Sequence, residues 1–148
     1  MNKKIRKAVR TFLILDNKII ATKYKTQTNF EYYDIPGGKI EDGETSEQAS
    51  VREFKEETGI KIINQEYKGN AIIEYPNMIF DFDVYIVNKY EGNPIEFEEN
   101  YSFWIDIEEL LKQDKKIPSI EILKYLNNEE IKIKIYVGED HKILNIEN

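Results

Sequence analysis

Apolar residues recur at every second position over most of this chain and at every third or fourth over one stretch, a pattern that predicts many strands around one long helix. Val9 to Leu15 is apolar and β-prone, Asp16-Asn17-Lys18 has turn chemistry, and Ile19-Ile20-Ala21 resumes the apolar run. These segments predict a β-hairpin within the first 25 residues. Residues 26–31 are polar and read as a loop. Tyr32 to Ile35 suits a short strand ended by Pro36-Gly37-Gly38, where two glycines permit backbone conformations closed to other residues. At Thr45 the period becomes helical. Thr45 or Ser46 can cap, Gln48 stands three residues after Thr45 as in a capping box, and Gly59 is placed as a stop, so a helix is predicted over 46–58.

Beyond the helix, Ile60 to Tyr67, Ala71 to Tyr75 and Ile79 to Val87 read as strands, with a turn at Tyr75-Pro76-Asn77-Met78 and a loop at Glu91-Gly92-Asn93-Pro94. Ser102 to Ile105 is a short strand. Asp106 is placed to cap a brief helix through Gln113, and Pro118 suits the first turn of a second helix through about Asn127. In the last segment Ile131, Ile133, Ile135 and Val137 share one strand face, and Lys142 to Ile146 reads as the hairpin partner. Strands on both sides of a central helix, with more helix near the end, predict an α/β (α+β) sandwich with a central mixed β-sheet, as one domain over residues 1–148.

Composition narrows the chemistry. The 148 residues include no cysteine and one histidine, which excludes disulfides, thiolate zinc sites and cysteine nucleophiles and argues against imidazole metal clusters and Ser-His triads. No stretch approaches the roughly 18 apolar residues of a membrane span and the first residues lack a secretory apolar block, so no membrane partner and a cytoplasmic address are expected. The net charge of −7 argues against gripping a nucleic acid duplex, which takes clustered Lys and Arg. That charge is uneven. Residues 1–25 carry eight Lys or Arg against Asp16, residues 41–57 carry seven acids against Arg52 and Lys55, and residues 96–109 carry six acids and no base. A solvated face is the ordinary fate of such a run. Two separated acidic clusters also suit a divalent cation.

The stretch GKIEDGETSEQASVREFKEETGI, Gly38 to Ile60, decides between these. At about 100° per residue, Glu53, Glu56 and Glu57 fall within an arc of roughly 100°, while Val51, Phe54 and Thr58 gather opposite. Like charges so crowded repel by a few tenths of a kcal/mol per close pair unless a cation offsets them. Hard oxygen ligands in that number suit Mg²⁺ or Mn²⁺, which keep several waters and accept phosphate oxygens. Arg52 lies off the acidic face and is placed to brace the loop.

The same residues resemble a known family. Gly38, Glu44, Arg52, Glu53, Phe54, Glu56, Glu57, Gly59 and Ile60 satisfy every position of the Nudix box. From this chain's composition a chance match is on the order of 10⁻⁷. The resemblance implies the Nudix fold, an α/β/α sandwich, and hydrolysis of a nucleoside diphosphate linked to another moiety with Mg²⁺ or Mn²⁺ and an attacking water. It implies metal carboxylates at Glu53, Glu56 and Glu57, a further ligand at the Gly38 carbonyl, and structural roles for Glu44 and Arg52. Glu53 is the preferred general base.

Outside the box, PGGKIEDGET, the basic Lys23 and Lys25, and GNPIEFEENYSFWIDIEEL resemble the MutT-like branch that cleaves nucleoside triphosphates, and EEIKIKIYVGEDHKILNIEN is similar to the terminal hairpin of animal oxidised-purine triphosphatases. Within that likeness Glu99, with Glu98 as the fallback, aligns with a glutamate that assists metal or water, although an exposed loop acid is an equal reading. Relatives that read an oxidised purine carry a Trp-Pro-Asp-Asp-like stretch where this chain has Lys116-Ile117-Pro118-Ser119, so that acidic readout is absent. Asp34 and Ile35 are candidates for the base pocket, Asp34 accepting from a purine edge or else capping the turn. Lys23 and Lys39 are candidates for phosphate, against plain exposure. Trp104 favours a core role over stacking, Tyr24, Tyr32 and Tyr33 favour packing over stacking on a base, His141 has no chemical role, and Pro76 favours an ordinary turn.

The expected reaction takes a small-molecule nucleoside triphosphate to the monophosphate and pyrophosphate. The alternatives are hydrolysis of ADP-ribose, a nucleotide sugar or a dinucleoside polyphosphate, and a nucleotide-sensing module without turnover. The state is monomer or homodimer.

Overall fold

A computed structural model of the protein describes residues 3–25, 31–95, 101–113 and 117–148. A six-stranded mixed sheet contains, in order across it, β10 (Ile143–Glu147), β9 (Ile131–Val137), β6 (Lys61–Glu74), β7 (Met78–Glu91), β1 (Lys4–Phe12) and β5 (Gly37–Lys39). The β1–β7 and β6–β9 pairs are parallel and the others antiparallel. A second sheet is built on β3 (Lys18–Lys25), which pairs with β2 (Ile14–Leu15), β4 (Glu31–Asp34) and β8 (Tyr101–Asp106). The helices are α1 (Ser46–Thr58), the short α2 (Ile107–Leu111) and a 3₁₀ helix, Pro118–Tyr125.

Strand β1 explains the layering. Successive strand residues point to opposite faces. Ala8 and Phe12 join the main core with Ile73, Phe82, Ile120, Ile122, Ile133 and Ile135, on the side covered by the 3₁₀ helix. Val9 points the other way and packs on Ala49 of α1, while Leu13, just beyond the strand, meets Phe54 of the same helix. Helix α1 and the 3₁₀ helix therefore cover opposite faces, and the predicted sandwich with a central mixed sheet is the observed one.

Helix α1 forms where the sequence predicts it. The Thr45 hydroxyl accepts the Gln48 backbone N–H at 3.1 Å, the Gln48 side chain accepts the Thr45 N–H at 3.0 Å, and Gly59 ends the helix at φ +78°. Thr45→Ala removes one partner of this reciprocal cap and is expected to cost about 1 kcal/mol. Urea denaturation checks it, as a lower midpoint with an unchanged slope.

Five expectations change in detail. The hairpin is shorter than the apolar run: Asp16 and Asn17, both left-handed at φ 50° and 65°, turn Ile14–Leu15 onto Lys18–Ile19, while β1 leaves for the other sheet. Both faces of the second half of β1 are covered, Ala8 and Phe12 on one side and Val9 and Thr11 on the other, as its central place between β5 and β7 requires. The predicted breaks around Gly69 are a bulge inside one 14-residue strand, because Gly69 (φ +135°) lies against the Ile131 backbone with no room for a Cβ. Gly37 and Gly38 lie in strand β5, so their value is space, not unusual φ. The segment from Pro118 winds as 3₁₀ and not α, and Asp106 makes no side-chain capping bond. The turn at Pro76 is closed by the Tyr75 N–H donating to Met78 O at 2.8 Å, an ordinary hairpin turn as expected.

Candidate active site

The box residues converge where β5 runs beside α1. Arg52 is their hub. Its Nε and Nη2 donate to the two Glu44 carboxylate oxygens at 2.7 and 2.9 Å, and Nη2 also donates to Lys39 O at 3.0 Å, tying the loop to the helix. The guanidinium, aided by the Glu41 N–H, holds the Glu44 carboxyl down to about 2, and the pairing raises the Arg52 pKa in turn. Arg52 reaches further than the sequence indicated. Nη1 donates to Glu53 Oε1 at 3.0 Å and to Glu56 Oε2 at 3.2 Å, so it also spans the acidic face.

The three same-face glutamates differ by depth. The Glu56 side chain is 59% exposed and that of Glu53 16%. Glu57 is deeper, and burial pushes its carboxyl up to about 7 against the pull of its hydrogen bonds. Those bonds come from the Tyr24 hydroxyl, 2.6 Å from Oε1, and the Gly37 backbone N–H, 3.0 Å from Oε2. Burial likewise raises Glu53, whose carboxyl occupies the space that a side chain on Gly38 would fill.

These groups fit a hard divalent cation by donor type. All are carboxylate oxygens, and two are desolvated without full compensation inside the protein. As arranged here, no three His, Cys, Asp or Glu side chains among the described residues surround one point, because Arg52 occupies Glu53 and Glu56 and Tyr24 occupies Glu57.

The other sequence candidates are placed as follows. Asp34 is buried beside Arg10, and desolvation raises its carboxyl. Ile35 is wholly buried in the main core. The Lys23 ammonium is engaged, 2.8 Å from Glu31 and 3.0 Å from the Tyr101 hydroxyl, while the Lys39 side chain is exposed. Glu98 and Glu99 lie outside the described residues. Trp104 packs with Tyr90 against the Phe54 cluster, as expected of a core residue. Tyr33 packs edge-on against Phe103, and Tyr24 stacks on Tyr32 at 5.5 Å.

Two features of this neighbourhood escaped sequence reasoning, the contact of Tyr24 with Glu57 and the place of Arg10. Tyr24 is 33 positions from the glutamate it binds, and nothing local marks that contact. Arg10 had a signal: it shares a strand face with Ala8 and Phe12, so the alternation puts a cation among core positions.

The site is thus a carboxylate helix clamped by Arg52 to a glycine strand, on a mixed sheet covered on both faces. The family model described as NUDIX domain matches residues 4–126, and the chain belongs to the Nudix family. It is similar to the 8-oxo-dGTP diphosphatase of Haemophilus influenzae, 42% identical over 73 residues, 49% of this chain and 54% of that protein. It is also similar to the 8-oxo-dGTP diphosphatase of Escherichia coli K12, 32% identical over 106 residues, 71% of this chain and 82% of that protein. The match thus spans only about half the length of the Haemophilus relative. In fold it is similar to the mutator MutT protein of Bacillus halodurans, with TM-score 0.80 at 20% identity over 96% of each chain. Among the described residues no helix is long and apolar enough to cross a membrane.

Proposed function

We propose that the protein hydrolyses the phosphoanhydride of a nucleoside triphosphate, with purine nucleotides including oxidised ones as the substrate class, to the monophosphate and pyrophosphate. The observation that carries this reading is the complete box folded as one unit: Glu53, Glu56 and Glu57 on a helix that Arg52 locks to the Gly37–Lys39 strand. The names of the similar proteins above support the triphosphate substrate.

Divalent metal, Mg²⁺ with Mn²⁺ as a substitute, supplies charge neutralisation of the phosphate oxygens and a template for in-line attack. Glu53, Glu56, Glu57 and the Gly38 carbonyl are the residues that would hold it. Two fixed hydrogen bonds restrain Glu57, which suits a ligand. Glu53, joined among the described residues to Arg52 alone and raised by burial, suits a base taking a proton from the attacking water. Glu44 and Arg52 hold the loop. Lys39, exposed beside the box, offers a cation to phosphate, and Lys23 does so by exchanging Glu31 for a phosphate oxygen. Glu99 retains its proposed assisting role.

The test is a panel of about twenty nucleotide pyrophosphates incubated with purified protein. Pyrophosphate release that chelation abolishes and Mg²⁺ or Mn²⁺ restores is the expected result. No release from any canonical or oxidised triphosphate, or AMP plus ribose 5-phosphate from ADP-ribose alone, overturns it.

A further inference from the structure

We propose that Tyr24 is a positioning residue for the divalent metal: its hydroxyl, with the Gly37 N–H, fixes the Glu57 carboxylate between the two sheets and so raises the affinity of the box for the cation. The proposal rests on the metal-dependent reading above and deepens it by a residue that lies outside the box.

The box glutamates are held by different kinds of donor. Among the described residues Glu53 and Glu56 bond to Arg52, a cation that offsets the charge it holds. Glu57 is held by neutral donors instead, the Tyr24 hydroxyl 2.6 Å from Oε1 and the Gly37 N–H 3.0 Å from Oε2. Neutral donors fix a carboxylate without cancelling its charge, which stays available to a cation. An ionised carboxylate has about four acceptor positions, and these bonds take one on each oxygen. A single bond would leave the group free to turn about it, whereas two bonds on different oxygens also set its plane.

The two donors come from different sheets. Gly37 lies in β5, at the edge of the six-stranded sheet, and Tyr24 in β3 of the second sheet, so the carboxylate is gripped from both. Strand β3 reaches Glu57 a second time. Thr22, two residues before Tyr24 and on the same strand face, pairs with Ser102 at 2.9 Å, and the Ser102 hydroxyl donates to Glu57 O at 3.1 Å. The one Ser102 proton goes to that carbonyl, so Thr22 donates to Ser102. Carbonyls in the last turn of a helix have no intrahelical donor, and this bond pins the end of α1 at the residue that carries the ligand. Tyr24 itself is steadied by Tyr32, its partner across the β3–β4 pair, whose ring stacks on it at 5.5 Å and 27°.

Holding a carboxylate in a half-dry place with neutral partners is unfavourable to the empty protein, because its charge has lost water and gained no counter-charge in contact. That cost is offset once a cation is bound, and a ligand already fixed in place needs no reordering at that moment. Groups that orient a metal ligand in this way typically account for ~10- to 100-fold in metal affinity.

The experiment titrates Mn²⁺ into the native chain and into Tyr24→Phe without nucleotide, read by electron paramagnetic resonance. The variant keeps the ring and its stack and lacks only the hydroxyl. Its Kd for Mn²⁺ is expected to rise by about 10-fold or more. In turnover the Mg²⁺ concentration for half-maximal rate should rise by a similar factor, while kcat at saturating Mg²⁺ stays within about threefold of native, the split expected of a residue that acts through the metal. In a Glu57→Gln background the same change should have no further effect on Mn²⁺ binding, because the two residues act as one unit. Tyr32→Phe, which keeps the stack and leaves the Tyr24 hydroxyl in place, should bind Mn²⁺ as the native chain does. An unchanged Kd in Tyr24→Phe overturns the proposal, as does a native chain that binds no Mn²⁺. So does an equal loss in Tyr32→Phe, an additive loss in the Glu57→Gln background, a fall in kcat that saturating Mg²⁺ does not restore, or a Tyr24→Phe chain that does not fold. If no triphosphate is hydrolysed the reaction assignment fails separately, and the nucleotide-free Mn²⁺ titrations still decide the role of Tyr24.

Discussion

Glu57→Gln is expected to lower kcat by at least ~10²-fold while leaving the fold intact, because it removes one charge from the acidic helix face proposed to hold metal and changes little in shape. The amide can still accept the Gly37 N–H and donate to the Tyr24 oxygen, so both local contacts have a substitute. A nucleotide-sensing module without turnover would keep its effect and its ligand after the same change, and this separates it from an enzyme. The variant should also reveal what the carboxylate costs the empty protein. Burial raises the folded pKa of Glu57 from 4.5 to about 7. A raised folded pKa means that the favourable, protonated state is fully present below pH ~4.5 and is lost as pH rises through 7. With chelator present, Glu57→Gln should therefore unfold at a higher temperature than the native chain at pH 8, with the advantage fading by pH 5. Thermal scans across that range check it. Equal melting temperatures at pH 8 would mean that the carboxylate is not desolvated as the structure has it.

Adjacent glycines should fail in opposite ways. A Cβ on Gly37 would overlap the Val9 carbonyl, a backbone group held in the β1–β5 pairing, so the strands must separate. Gly37→Ala is expected to cost about 3 kcal/mol, the upper part of the overpacking range, measured as a lower urea midpoint. A Cβ on Gly38 would overlap the Glu53 carboxyl, the far end of a flexible side chain that can swing away. Gly38→Ala should leave stability within about 1 kcal/mol and lower kcat by about 10²-fold, because Glu53 leaves its position. The split between stability and rate is the observation of interest. A Gly38→Ala enzyme with full activity would remove Glu53 from the role of base.

Local chemistry made parts of this protein readable in advance. Helix α1 lies at Ser46–Thr58 as predicted because its start and stop are written in neighbours: Thr45 and Gln48 bond each other, and Gly59 takes the left-handed conformation that ends the helix. The β9 face of Ile131, Ile133, Ile135 and Val137 is buried because alternation alone assigns it. The Arg52–Glu44 tie came from the family resemblance, and its geometry is bidentate. Long-range pairing was less readable. The run from Val9 to Ala21 looks like one hairpin by composition, yet its first part, Val9–Phe12, pairs with Asp83–Ile86 because both of its faces need covering. Pro36-Gly37-Gly38 looks like a turn, yet Gly37–Lys39 is a strand because an approach this close to β1 excludes side chains.

The sequence by itself determined the helix, its caps, the three same-face glutamates and the family, since each depends on residue types at fixed short spacing. Only the tertiary structure decided their environment. It set Glu57 deep against Tyr24 and Gly37, left Glu56 in solvent, closed Lys23 onto Glu31, and brought Arg10 within 3.8 Å of Asp34. The physical reason is that burial and charge pairing depend on which distant strands lie side by side. That choice is made by covering apolar faces over the whole chain, and no short window of residues contains it.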